Sequence, residues 1–159
     1  MHRLVSTLII LALAPLISVS TVRAAGNDAA RPDDEQSCSN RTLRGDYAFH
    51  IEGAFVDAPA PLLLRGVAMT RFDGKGHLSQ VDHVVFNGMV PPIDWTPASG
   101  TYRLNANCTG EAEIIIPGSP FSPVILRLVV GADGKRIETV VSKPGYVVTS
   151  SAVKVDSSR

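Results

Sequence analysis

From Leu43 to Phe55 the chain alternates without a break. The odd positions are Leu43, Gly45, Tyr47, Phe49, Ile51, Gly53 and Phe55; the even ones are Arg44, Asp46, Ala48, His50, Glu52 and Ala54. A strand sends successive side chains to opposite faces, so the spacing predicts one long strand with a dry face and a wet face. Other strands must cover that dry face, and the rest of the chain supplies them, because Val, Ile, Thr and Gly are plentiful while helical periodicity is scarce.

Further strands are predicted over Leu62 to Phe72, His77 to Asn87, Gly100 to Leu104, Glu111 to Ile116, Val124 to Val130, Lys135 to Val141 and Tyr146 to Val155. Asp73-Gly74-Lys75-Gly76, Asn105 to Gly110 and Gly131-Ala132-Asp133-Gly134 are tight-turn sequences, in which glycine supplies positive φ. In an antiparallel meander successive turns alternate between two ends. These three fall at one end, and Asp57 to Pro61, Gly88 to Ser99, Pro117 to Pro123 and Lys143 to Gly145 fall at the other. Every proline after Pro32 lies in the second set. The first strand starts at the tight-turn end, so Cys38 lies there, and Cys108 sits in a loop at the same end, as a bridge requires. The expected fold is all-β, an eight-stranded antiparallel up-and-down barrel over 38–155, which removes sheet edges and leaves room for side chains or one small ligand. A two-sheet β-sandwich is the alternative with the same strand count.

Residues 1–24 read as a signal peptide: His2 and Arg3 form a positive start, Leu4 to Ser20 is apolar, and Val22-Arg23-Ala24 offers a cleavage site before Ala25. The rival is an uncleaved anchor. The apolar run falls short of the ~20 residues that span a bilayer and carries Pro15, so no stable membrane insertion is expected after the leader is removed. Residues 25–37 are polar and form a disordered lead-in, and 156–159 a polar tail. The expected location is secreted or periplasmic. In that oxidising setting Cys38 and Cys108, the two cysteines of the chain, read as a disulfide. Such a bridge stabilises by up to ~4 kcal/mol in the chain-entropy model. The chain has 15 basic and 15 acidic residues; without Arg3 and Arg23 the balance is 13 against 15, a net of −2. That charge, with no clustered basic face, argues against a nucleic-acid partner. Asn40-Arg41-Thr42 and Asn107-Cys108-Thr109 fit the glycosylation sequon, which matters only in a eukaryotic host.

Catalytic patterns are absent from the sequence. There is no Gly-x-Ser-x-Gly elbow, and Pro117-Gly118-Ser119-Pro120 is a proline turn. Asp73 to Gly76 lacks the spacing of a phosphate loop. His77 and His83 share a strand face but stand roughly 20 Å apart, too far for one metal, and no CxxC occurs; no metal and no cofactor are expected. His50 belongs to the wet face, and Glu111 and Glu113 point outward together. The third strand has two registers. One turns Leu78, Gln80, Asp82, Val84 and Phe86 inward; the other turns in Ser79, Val81, His83 and Val85. Leu78 and Phe86 favour the first. It places Asp82, beside Gln80, in an apolar interior, where a carboxylate must be paired or protonated. The pair is either a structural hydrogen bond or a ligand-orienting device. Met89, Val90, Ile93 and Trp95 are apolar residues in a long loop; they act either as a structural lid or as a binding rim.

Cys38-Ser39-Asn40, Leu43-Arg44-Gly45-Asp46-Tyr47-Ala48-Phe49, Phe72-Asp73-Gly74-Lys75-Gly76, Gly100 to Asn105 and Cys108-Thr109-Gly110 resemble a group of small secreted bacterial proteins of unassigned activity. Gly45-Asp46-Tyr47 is also similar to the Gly-x-Trp that opens lipocalin and avidin barrels of the calycin type, with Tyr47 in the tryptophan's place. The first resemblance implies an exported domain, the second a ligand-holding barrel. The leading expectation is a secreted, non-catalytic binding module for a small, largely apolar ligand. The candidate contacts are Gln80, Asp82, Met89, Ile93, Trp95 and Tyr47. Two alternatives stand beside it: an envelope-associated structural or interaction protein whose barrel is filled by Leu43, Tyr47, Phe49, Ile51, Phe55, Val124, Leu126 and Leu128, and an enzyme resembling barrel cyclases or isomerases that uses Asp82.

Overall fold

The alternating stretch forms β1 (Arg44–Phe55), and seven more strands follow it: β2 (Leu62–Asp73), β3 (His77–Phe86), β4 (Thr96–Leu104), β5 (Thr109–Ile115), β6 (Val124–Val130), β7 (Arg136–Val141) and β8 (Tyr146–Lys154). The structure is a computed structural model and describes residues 37–57 and 59–155. The predicted leader, the lead-in up to residue 36 and the tail 156–159 lie outside the described residues. A short 3-10 turn, Asn40–Thr42, precedes β1.

Each strand pairs antiparallel with its sequence neighbours, and β1 pairs with β8, so the sheet closes in the order β1 to β8 as an up-and-down barrel. The sandwich is thereby excluded. Closure joins the first and last strands: the Val155 amide donates to the Asp46 carbonyl at 2.8 Å. Strand curvature rests on glycine. Gly53 faces inward on β1, where any Cβ would run into the Val147 carbonyl of β8; Gly100 on β4 meets the Glu113 carbonyl of β5 in the same way. Only a residue without a side chain lets the two backbones approach at such corners.

The strand bounds differ from expectation mainly at β4. It begins at Thr96, not Gly100, so the long loop is shorter than its composition implied. Pro97 hides this start, because a proline cannot donate to a ladder. It is tolerated because β4 pairs only with β3 at that level; pairing with β5 begins at Ser99. At the other edge of the loop, Asn87 (φ 47°) and Gly88 (φ 80°) form a left-handed turn that brings Met89 back against Phe86.

The end carrying the tight turns is a sealed floor. Cys38 and Cys108 form a disulfide there with Cα atoms 5.0 Å apart. Leu43 and Tyr47 are fully buried, and the Tyr47 hydroxyl donates to the Gly134 carbonyl. The Tyr102 hydroxyl lies 2.9 Å from the carbonyls of both Asn40 and Leu43, and the Asn40 side chain accepts from the Leu104 amide at 2.8 Å. Asp73 organises the β2–β3 hairpin: its Oδ1 accepts from the amides of Lys75, Gly76 and His77. Those backbone donors hold its carboxyl down at about 2.

Candidate ligand-binding cavity

Above the floor the barrel is hollow. A cavity of about 410 Å³ opens toward the end that carries the proline loops. Its walls are the inward positions of the strands, Phe49, Ile51, Leu64, Val84, Leu126 and Val148 among them. That volume lies within the range of small-molecule sites.

Four aromatic rings narrow the mouth. Phe55 of β1 stacks on Phe121 with centroids 4.3 Å apart and planes 5° from parallel. Phe86 of β3 stacks on the same Phe121 at 5.5 Å, and Tyr146 of β8 stands edge-on to Phe55 at 4.5 Å. Phe121 is delivered by the loop 117–123, which braces itself. The Ser119 amide donates to the Ile116 carbonyl, the Ile116 amide to the Ser122 hydroxyl, and the Phe121 amide to the Ser119 hydroxyl. Pro91 and Pro92 complete the rim.

The cavity's polar atoms are few and lie midway down. On one wall the Thr70 hydroxyl donates to Gln80 Oε1 at 2.8 Å, and Gln80 Nε2 donates to Asp82 Oδ2 at 3.0 Å. On the other wall Thr139 and Ser150 share a hydrogen bond of 2.6 Å. In a closed order of eight strands, β7 lies directly across from β3. Asp82 is 7% exposed, and burial pushes its carboxyl above the usual aspartate range, with the Gln80 hydrogen bond and the His83 charge pulling the other way. Among the described residues lining the cavity there is no Lys, Arg or His.

The candidate residues therefore separate. Gln80 and Asp82 line the cavity, in the register that Leu78 and Phe86 favoured. Tyr47 does not line it: burial beneath Phe72 and the bond to Gly134 make it part of the floor. Met89, Ile93 and Trp95 also lie elsewhere, at 64%, 56% and 53% exposure. The cause is His83 on the outer face of β3, whose Nδ1 hydrogen-bonds the Asp94 carbonyl at 2.6 Å and whose ring faces Trp95 at 6.2 Å. That contact lays the end of the loop along the outer wall, so only Pro91 and Pro92 reach the mouth. Phe121, Tyr146, Thr70, Thr139 and Ser150 line the cavity but were not singled out from sequence. Turn parity carried a signal for Phe121, because it sends the loop 117–123 to the open end.

Among the described residues no cluster of His, Cys, Asp and Glu has the makings of a metal site, and no helix is long and apolar enough to cross a membrane. Comparison with protein-family models, curated proteins and solved structures gives no match.

Proposed function

We propose that this chain is an exported, non-catalytic binding module that holds one small, largely apolar molecule inside its barrel. The observation that carries this reading is the hollow interior itself: about 410 Å³, apolar-walled and open at one end. A protein whose barrel served only as a packed support would fill that space, since interiors otherwise pack to crystal density. The aromatic mouth suits the entry of an apolar body, and the sparse polar atoms fix its orientation. The disulfide supports an oxidising location, secreted or periplasmic, together with the leader pattern of residues 1–24. The calycin-like start at Gly45-Asp46-Tyr47 supports the same role by analogy of fold.

The reading is tested with N-phenyl-1-naphthylamine, a neutral dye that fluoresces in apolar surroundings. The folded protein is expected to raise its emission saturably, with one site per chain. Leu126→Trp, which puts an indole into the cavity, is expected to abolish that rise while leaving the circular dichroism spectrum of a β-protein. Absence of a saturable rise with the folded wild-type protein, or an unchanged rise with the filled variant, overturns the reading.

A further inference from the structure

Among the described residues the cavity is lined by a single carboxylate, with no Lys, Arg or His beside it. The Thr70–Gln80–Asp82 chain has a direction: each member donates to the next, so the Gln80 amide is fixed with its NH₂ toward Asp82 Oδ2. This is the side-chain hydrogen bond that Asp82 makes among the described residues. No buried polar side-chain atom there lacks a partner, so Oδ1, which has none, is open to the cavity. A donor held on one oxygen and a free acceptor on the other are the arrangement for receiving a further donor.

We propose that the bound molecule carries one protonated amine on its apolar body, and that Asp82 is the counter-ion that orients it. This rests on the binding reading above and narrows the ligand to a lipophilic amine. An isolated carboxylate in an apolar site is costly, and it is relieved by a cation or by a proton. Among the described residues the lining offers no cation. β2 and β4, which flank Asp82, present Ala68, Thr70, Thr96 and Ala98 to the interior. The opposite wall presents Thr139 and Ser150, already bonded to each other. His83 belongs to the outer face and is engaged by Asp94. Tyr146 is the other titratable residue of the lining, and it sits at the mouth. Lys143, outside the lining, bonds the Pro123 carbonyl at 3.2 Å. An ammonium fits better than its rivals: a fatty acid would set two carboxylates together, and an alcohol supplies a hydrogen bond without charge. The mouth also suits a cation, because aromatic faces attract positive charge; Lys143 Nζ already rests 5.2 Å from the Tyr146 ring centre.

A raised carboxyl gives the binding a pH signature. Below the Asp82 pKa the acid is neutral and the amine loses its partner. Affinity for the amine therefore rises as pH climbs through a window above the ordinary aspartate value, and holds until the amine itself deprotonates at about 10.

Calorimetric titration with octylamine, 1-octanol and octanoate separates the possibilities. Octylamine is expected to bind at least about tenfold more tightly than the other two. In Asp82→Asn, octylamine is expected to lose its tenfold advantage and fall to the level of octanol, whose own affinity changes by less than that factor. Should Asp82→Asn fail to fold, the pH profile on wild-type protein decides: the octylamine constant falls toward acid and the octanol constant stays level. Octanol or octanoate binding as tightly as the amine, or an amine profile without pH dependence, overturns this inference and leaves the binding reading standing. If none of the three probes binds and the dye also fails, the binding reading falls and takes the inference with it.

Discussion

At the floor Tyr47 meets Phe72 edge-on at 5.3 Å, and Phe72 meets Tyr102 edge-on at 5.0 Å. At the mouth Phe55 and Phe121 lie flat against each other at 4.3 Å. Both ends are aromatic, yet they hold by different means. The floor rings cross at near right angles and are almost completely buried, and the two tyrosines end in hydroxyls tied to backbone carbonyls. Burial holds the Tyr102 hydroxyl up at about 12, so it remains a donor. The mouth phenylalanines have no polar handle and are half-buried. Their attachment is dispersion and apolar burial alone, which is non-directional and lets flat rings slide. The difference teaches that one end is locked by directed hydrogen bonds and a disulfide, while the other is closed by rings that nothing directional holds.

The contrast can be broken most forcefully at the floor. Replacing both cysteines by serine releases a closure spanning 70 residues, and urea unfolding is expected to show a loss of about 4 kcal/mol at most. If the loss is near zero, the floor is not what holds the barrel shut. A finer test compares one ring at each end. Tyr47→Phe strands the Gly134 carbonyl and is expected to cost about 1–3 kcal/mol in unfolding free energy, with dye affinity retained. Phe121→Ala removes a half-buried stack and is expected to cost about 1 kcal/mol, yet to weaken the dye about tenfold. Equal effects of the two on both readouts would erase the distinction between the ends. The smallest effect is expected from Trp95→Phe on the outer wall: a stability change within about 0.5 kcal/mol and an unaltered dye constant. A clear loss of dye binding there would return the long loop to the mouth.

The strands were legible because alternation is a physical consequence of the pleat and needs no knowledge of neighbours. The same alternation, anchored by Leu78 and Phe86, put Asp82 inside. The disulfide followed from two cysteines in a chain read as exported, and counting turns brought both to one end. Three features escaped for reasons that are not local. β4 begins with Thr96-Pro97-Ala98-Ser99, small and polar residues that resemble a loop until β3 pairs with them. The apolar residues of the two proline loops look alike on paper, and what separates Phe121 from Trp95 is a tertiary bond, His83 to Asp94, that pins one loop outside. Thr70 and Thr139 escaped because threonine suits either face of a strand, and only the closed register turns them inward.

The ladder between β1 and β8 brings residues 37 and 155 out at the stapled end of the molecule, on the far side from the aromatic gate. A tag, a surface linkage or a second domain spliced to either one hangs the barrel bottom-first. The aromatic mouth then faces the medium, and the cavity of immobilised protein remains accessible to solutes.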